Sequence, residues 1–338
     1  MVSDKKLVQE VTGWLKVFDD GSVDRTWTGP PEARFMTEPV PPHHEFKNGV
    51  ATSDVIIDPT SGLTVRIYLP EKKPGDEDKL PVLLHFHGGG FCVSQADWYI
   101  YYHTHTVLAI RARVICVSVY LRRAPENRLP AACEDGYSAL LWLQCVAKGQ
   151  SEQPWLHSHA DFTRVFLIGD SSGGNLVHQV AAVGGKMQLG PLRLAGGVMI
   201  HPGFVRSERS KSELQQEDSP FLTLEMADKF LKLALPRVKL QQFEGVEMEF
   251  SGEMNIYRES ELSGDFEGEI SKKRIRRALA DPKPIFPADN STYSPRTGGI
   301  VESMSLIICE DRFHVLKFNP FPLGLYSYKT QIGNRITS

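Results

Sequence analysis

The sequence predicts an α/β fold: a mostly parallel central sheet with helices on both faces. Short apolar runs recur at 82–86, 113–119, 165–168 and 194–200, too brief for helices and matching strands buried on both sides. Longer stretches of helical spacing lie between them, the alternation that βαβ crossovers produce. A third observation is size: 338 residues at 41% hydrophobic content can bury one large core without a second domain.

Residues 1–50 hold an amphipathic opening (Val8, Val11, Leu15), a turn at Asp19, Asp20 and Gly21, and a strap containing Pro30, Pro31, Pro39, Pro41 and Pro42. This composition reads as a cover more than a core. Segments 54–58 and 63–69 form a hairpin across Pro59-Thr60-Ser61-Gly62. A helix starts at Pro130, where a missing N–H costs nothing, with Tyr137, Leu140, Leu141 and Cys145 on one stripe. No internal repeats occur.

Chemistry concentrates in two motifs. Val165–Ile168 reads as a strand that breaks at Gly169-Asp170-Ser171-Ser172-Gly173, after which Leu176, Val177, Val180 and Ala181 take up helical spacing. A Gly-x-Ser-x-Gly turn between strand and helix holds the serine on a strained bend with its hydroxyl exposed. Gly169 and Gly173 keep Cβ atoms from colliding where strand and helix converge. Upstream, 82–86 runs into His87-Gly88-Gly89-Gly90-Phe91. Attack of an alkoxide on a carbonyl places negative charge on oxygen, and consecutive glycines let backbone N–H groups meet that charge. Ser171 is therefore the candidate nucleophile, and the amides of Gly89, Gly90 and Ser172 the candidate oxyanion hole. His87 is expected to brace the loop, and His85 to sit in the core.

Composition excludes several classes. A net charge of −3 gives no electrostatic basis for nucleic-acid or anionic-membrane partners. Five scattered cysteines without Cys-x-x-Cys pairs indicate a reducing compartment, neither a disulfide framework nor a zinc site. The N-terminus lacks the apolar core of a signal peptide, and no stretch is long and apolar enough to span a bilayer. The expected location is the cytoplasm. The basic run Lys272–Arg277 reads as a solvated helix face in preference to a nuclear signal.

Three ordered segments then carry a resemblance: His87–Phe91, Arg122–Gly136 and Gly169–Asn175. Together they resemble the hormone-sensitive-lipase-like branch of the α/β-hydrolases, and more closely its plant carboxylesterases, whose opening is similar to Val17–Arg25. The resemblance runs to about Pro236 and implies a cofactor-free hydrolase of small carboxylic esters in a single α/β-hydrolase domain with a helical cap. That cap would combine residues 1–50 with an insertion after the sixth strand, here Pro202–Pro236, whose helix carries Leu224, Ala227, Leu231 and Leu235 on one face. This stripe could line an acyl or alcohol pocket or simply pack on the body.

A serine hydroxyl needs a positioned base and an orienting acid, which in this fold follow the serine in chain order. The family pattern places an Asp in an Asp-x-Leu/Ile context and a later His beside Gly, and neither is found. From Arg237 onward the sequence departs from the family, a break of the kind a changed splice or reading frame leaves. After His201, which ends a strand too early in the order, the remaining histidine is His314. It is the candidate base, with Asp281 or Asp289 as acid and Asp311 closer in sequence than a triad drawn from two loops would place it. Three functions follow: ester hydrolysis, binding of a hormone-like small ligand in the manner of the gibberellin receptors, which have lost the histidine, and a lyase or cyclase reaction on the same scaffold. Ser171 favours hydrolysis over the dehydratases of this family, which generally place threonine there.

Overall fold

The computed structural model describes residues 5–75, 79–203, 214–215 and 219–236, together with the backbone of 304–307. A seven-stranded sheet organises them. Its strands are β4 (Val50–Asp58), β5 (Leu63–Pro70), β6 (Leu80–Phe86), β7 (Ile115–Val119), β8 (Ala160–Asp170), β9 (Leu194–Ile200) and β10 (Met304–Ile307), arranged in the order β10-β9-β8-β6-β7-β5-β4. Strands β7, β6, β8 and β9 run parallel, whereas β5, β4 and β10 enter antiparallel at the flanks. The hairpin and the four buried strands foreseen in the sequence are all present. The four candidates for acid and base, Asp281, Asp289, Asp311 and His314, lie outside the described residues.

Side-chain alternation divides the core between the two faces. On β6 and β7, Leu83 and Cys116 turn toward α1 (Tyr99–Ala112), where Leu108 and Ala109 meet them. Val82, Leu84, Ile115 and Val117 turn the opposite way, toward Leu140 and Leu143 of α2 (Ala131–Ala147) and Leu176 and Val177 of α4 (Ser172–Gly184). A short α3 (Pro154–His159) leads into β8.

Two helix stripes are rotated from expectation. In α2 the buried residues include Ala132, Cys133, Gly136, Ala139, Leu140, Leu143 and Val146, while Tyr137, Leu141 and Cys145 are only half-buried. The helix packs on both the sheet and α4, and Asp135 is buried among these residues because Arg122 pairs with it at 2.8 Å. The helix of the expected cap, α5 (Leu224–Ala234), buries Phe230, Leu233 and Ala234; of the expected stripe Leu235, just past its end, is buried, whereas Leu224, Ala227 and Leu231 are partly exposed.

The N-terminal segment is more than a cover. Strands β1 (Leu7–Val11), β2 (Leu15–Phe18) and β3 (Val23–Asp24) form a small antiparallel sheet, and Val11 and Leu15 join the main core at 0% and 2% exposure. Val8 alone of the three apolar residues singled out there faces solvent. Trp14 donates its indole N–H to the Phe221 carbonyl at 2.7 Å, and Trp27 stacks on the Phe221 ring. This ties the opening of the chain to the segment leading into α5.

Candidate active site

β8 ends at Asp170 and α4 begins at Ser172, so Ser171 alone makes the reversal. Its backbone sits at φ 51° and ψ −117°, a conformation an L-residue adopts only where its surroundings hold it. The surroundings do hold it. The Ser171 N–H donates to the Ile200 carbonyl at 2.8 Å, and its own carbonyl accepts from Gly203 N–H at 2.9 Å and Asn175 N–H at 3.2 Å. The turn is thereby locked between the end of β9 and the first turn of α4.

The two flanking glycines are required by space. A Cβ on Gly169 would stand 2.4 Å from the Gly173 carbonyl oxygen, and one on Gly173 would stand 2.0 Å from the Phe86 carbonyl oxygen. Because Phe86 closes β6, this contact also brings the glycine loop to the serine turn. Phe91 N–H donates to Ser172 Oγ at 3.2 Å, and Gly88 N–H donates to Asp170 Oδ1 at 3.1 Å and to the Tyr101 hydroxyl oxygen at 3.0 Å. The loop carrying Gly89 and Gly90 thus lies against the turn carrying Ser171 and Ser172.

Within the loop, Gly89 and Gly90 take φ of 100° and 59°. Among the described residues neither of their N–H groups donates a hydrogen bond. The Ser172 N–H, at the first position of α4, belongs to the amides a helix leaves without an internal partner. The positive end of that helix adds favourable potential for developing negative charge. Phe230 of α5 roofs the loop, its ring and Cβ occupying the space where a Cβ on Gly90 would go.

Beneath the loop lies a buried polar cluster that the sequence reading only half anticipated. His85 and His87 are 4% and 3% exposed. His85 Nδ1 is paired with Ser118 Oγ at 2.9 Å, while His87 Nδ1–H donates to the Gly88 carbonyl at 2.9 Å. Burial holds the His87 imidazole down at about 4 and His85 and His105 well below their ordinary range, so all three are neutral at pH 7. Burial pushes the Asp170 carboxyl upward, against the pull of His87 and of hydrogen bonds from Tyr101 and Gly88. Asp170 and Tyr101 were missed. Asp170 could have been noticed as a carboxylate ending an apolar strand, but Tyr101 reaches it from another helix and leaves no local trace.

His201 follows β9 at φ 44°, between Ile200 and Gly203, whose backbone groups hydrogen-bond Ser171. Among the described residues no imidazole hydrogen-bonds the Ser171 hydroxyl.

The family model described as the α/β-hydrolase fold matches residues 83–248, a span that takes in both motifs. The chain is 38% identical over 234 residues to probable carboxylesterase 6 of Arabidopsis thaliana, covering 68% of this chain and 66% of that one. The chain belongs to the plant carboxylesterase-like α/β-hydrolases. This α/β-hydrolase is also 35% identical to tuliposide A-converting enzyme 2 of Tulipa gesneriana, covering 69% of this chain and 56% of that one. A 2-hydroxyisoflavanone dehydratase of Glycine max is again 35% identical, with 62% and 64% covered. The chain therefore spans between about half and two thirds of the length of the curated relatives it matches. Among the described residues no helix is long and apolar enough to cross a membrane.

Proposed function

We propose that this α/β-hydrolase cleaves small-molecule carboxylic esters through a serine nucleophile and an acyl-enzyme. Ser171 attacks the ester carbonyl, and the amides of Gly89, Gly90 and Ser172 receive the charge that develops on oxygen. Each such donor lowers the barrier by about 3 kcal/mol. A base must take the Ser171 proton, give it to the leaving alcohol and then activate the deacylating water. We assign that part to His314, oriented by Asp281 or Asp289. The cap in this reading comprises residues 1–50 and 202–236, with 237–338 as a divergent C-terminal region of one domain.

The observation that carries the proposal is the juxtaposition of a serine at φ 51° with a glycine loop whose Phe91 amide reaches Ser172 Oγ at 3.2 Å. A fluorophosphonate probe should label Ser171, and a short-chain p-nitrophenyl ester should be cleaved. Ser171→Ala should abolish both. Absence of labelling in the folded wild-type protein would refute the assignment.

A second reading, resting on the family's Asp and His not being found in their usual sequence context, is a binding protein for a hormone-like small ligand, which holds its guest without turnover. The dehydratase relative keeps a lyase reaction in the same comparison. We place the protein in the cytoplasm, with no nucleic-acid or membrane partner. The four described cysteines are free thiols, and the net charge is −3.

A further inference from the structure

The residue that follows β3 reaches the glycine loop from the N-terminal segment. Arg25, whose side chain is 13% exposed, donates from Nε to the Cys92 carbonyl at 2.7 Å and from Nη2 to the Ala124 carbonyl at 2.9 Å. Glu126 accepts from the outer edge of the same fork, at 2.8 Å from Nη1 and 2.5 Å from Nη2. Ala124 is itself tied to the loop, its N–H donating to the Phe91 carbonyl at 2.8 Å.

Two peptide groups continue the line from Arg25 toward the candidate oxyanion hole. A planar trans peptide points its C=O and its N–H in opposite directions, and neither the 92–93 nor the 89–90 bond is cis. The Cys92 carbonyl and the Val93 N–H are the two ends of one such group. That Val93 N–H donates to the Gly89 carbonyl at 3.0 Å, where the Cys92 N–H also donates at 3.0 Å. The Gly89 carbonyl in turn shares its peptide with the Gly90 N–H, which donates to nothing among the described residues. Arg25 Nε–H, Val93 N–H and Gly90 N–H therefore form one relay, ending on a free donor.

We propose that Arg25 is a positioning residue of the oxyanion hole, which fixes and polarises this relay so that the Gly90 N–H meets the negative charge of the reacting carbonyl. The proposal rests on the reading of Ser171 as the nucleophile of an esterase. A cation at the carbonyl end of a chain of hydrogen-bonded peptides strengthens each donor beyond it, and aligned peptide dipoles add. Donors held in place beforehand also cost no reorganisation during the reaction. Glu126 offsets part of the charge, but it holds the Nη edge and leaves Nε to Cys92.

The test uses the full chain, p-nitrophenyl acetate as substrate, a trifluoromethyl ketone as mimic of the tetrahedral intermediate, and thermal melts of every variant. Arg25→Met keeps the aliphatic stem but cannot donate. Its kcat should fall about tenfold with KM within about twofold of wild type, and ketone affinity should fall in parallel with kcat. Arg25→Lys, which keeps the charge and one donor for Cys92, should lose less. Glu126→Gln, which leaves the relay in place, should also lose less than Arg25→Met. Wild-type kcat and ketone affinity in folded Arg25→Met, a loss confined to KM, or an equal loss in Glu126→Gln would each overturn the proposal. Should Arg25→Met melt below the assay temperature, Arg25→Lys decides: reduced kcat and ketone affinity at an unchanged melt support the relay, and wild-type values overturn it. A wild type that neither cleaves the ester nor takes up a fluorophosphonate would overturn the Ser171 reading and this proposal with it, whereas an active wild type matched by Arg25→Met would overturn this proposal alone.

Discussion

Replacing Gly173 by Ala tests the convergence of the two motifs without assuming catalysis. The added Cβ would stand 2.0 Å from the Phe86 carbonyl oxygen, 2.7 Å from its carbon and 2.8 Å from the His87 carbonyl oxygen. Carbon and oxygen normally keep about 3.3 Å apart, so backbone must yield by roughly 1 Å. Phe86 cannot retreat cheaply, because it is paired in register with Val119 of β7 and Gly169 of β8. A cost of about 3 kcal/mol, at the upper end of overpacking, lowers the melting temperature by about 6–12 °C. Differential scanning calorimetry would measure it, beside two controls. Gly149→Ala meets nothing within 4 Å but keeps φ 71°, so it isolates the conformational penalty, about 1 kcal/mol. Gly136→Ala meets only side-chain atoms at 3.1 and 3.2 Å, a squeeze that the gain of about 1 kcal/mol in helix propensity offsets. If Gly173→Ala melts no lower than these controls, the Phe86 carbonyl is not what demands glycine there.

Three further outcomes are expected. Asp54→Ala leaves the guanidinium of Arg66, whose side chain is 1% exposed, without its carboxylate, and should cost about 3–5 kcal/mol in urea unfolding; a cost under about 1 kcal/mol would contradict this. His87 is depressed to about 4 in the folded state, so it binds fewer protons folded than unfolded. Its contribution is complete above pH 6.5 and is lost as pH falls toward 4, with about 2 kcal/mol gone at pH 5. Asp170, raised by burial, acts in the opposite sense, so the readout is the difference between wild type and His87→Asn: the variant should show a flatter fall in stability from pH 7 to 5. His314→Ala should reduce ester turnover by several orders of magnitude while leaving the melt unchanged, and undiminished turnover would remove it from the mechanism.

Local features were legible in the sequence because they are set by neighbours in the chain. The run Val165–Ile168, the glycines at 169 and 173 and the return of helical spacing at Leu176 specify strand, turn and helix, and the structure has them in that order. The alternation on β6 and β7 likewise fixes which side chains face which helix. The helix stripes were misplaced because an apolar count weights every large residue alike. In α2, Gly136 is buried because Val180 and Phe86 pack close to it, and Asp135 because Arg122 neutralises it. In α5, Phe230 turns inward because the bare face of Gly90 leaves room for its ring. None of these partners is a sequence neighbour.

The order of amino acids alone determined the sharp bend at Ser171 and the side-chain-free loop at 88–90, since both are short-range matters of which residues tolerate which torsions. Only the packed chain decided that Phe86 would lie beside Gly173 and that Tyr101 and Asp170 would grip Gly88. Those outcomes depend on strands from distant segments lying about 4.8 Å apart in the sheet, a spacing no local window encodes.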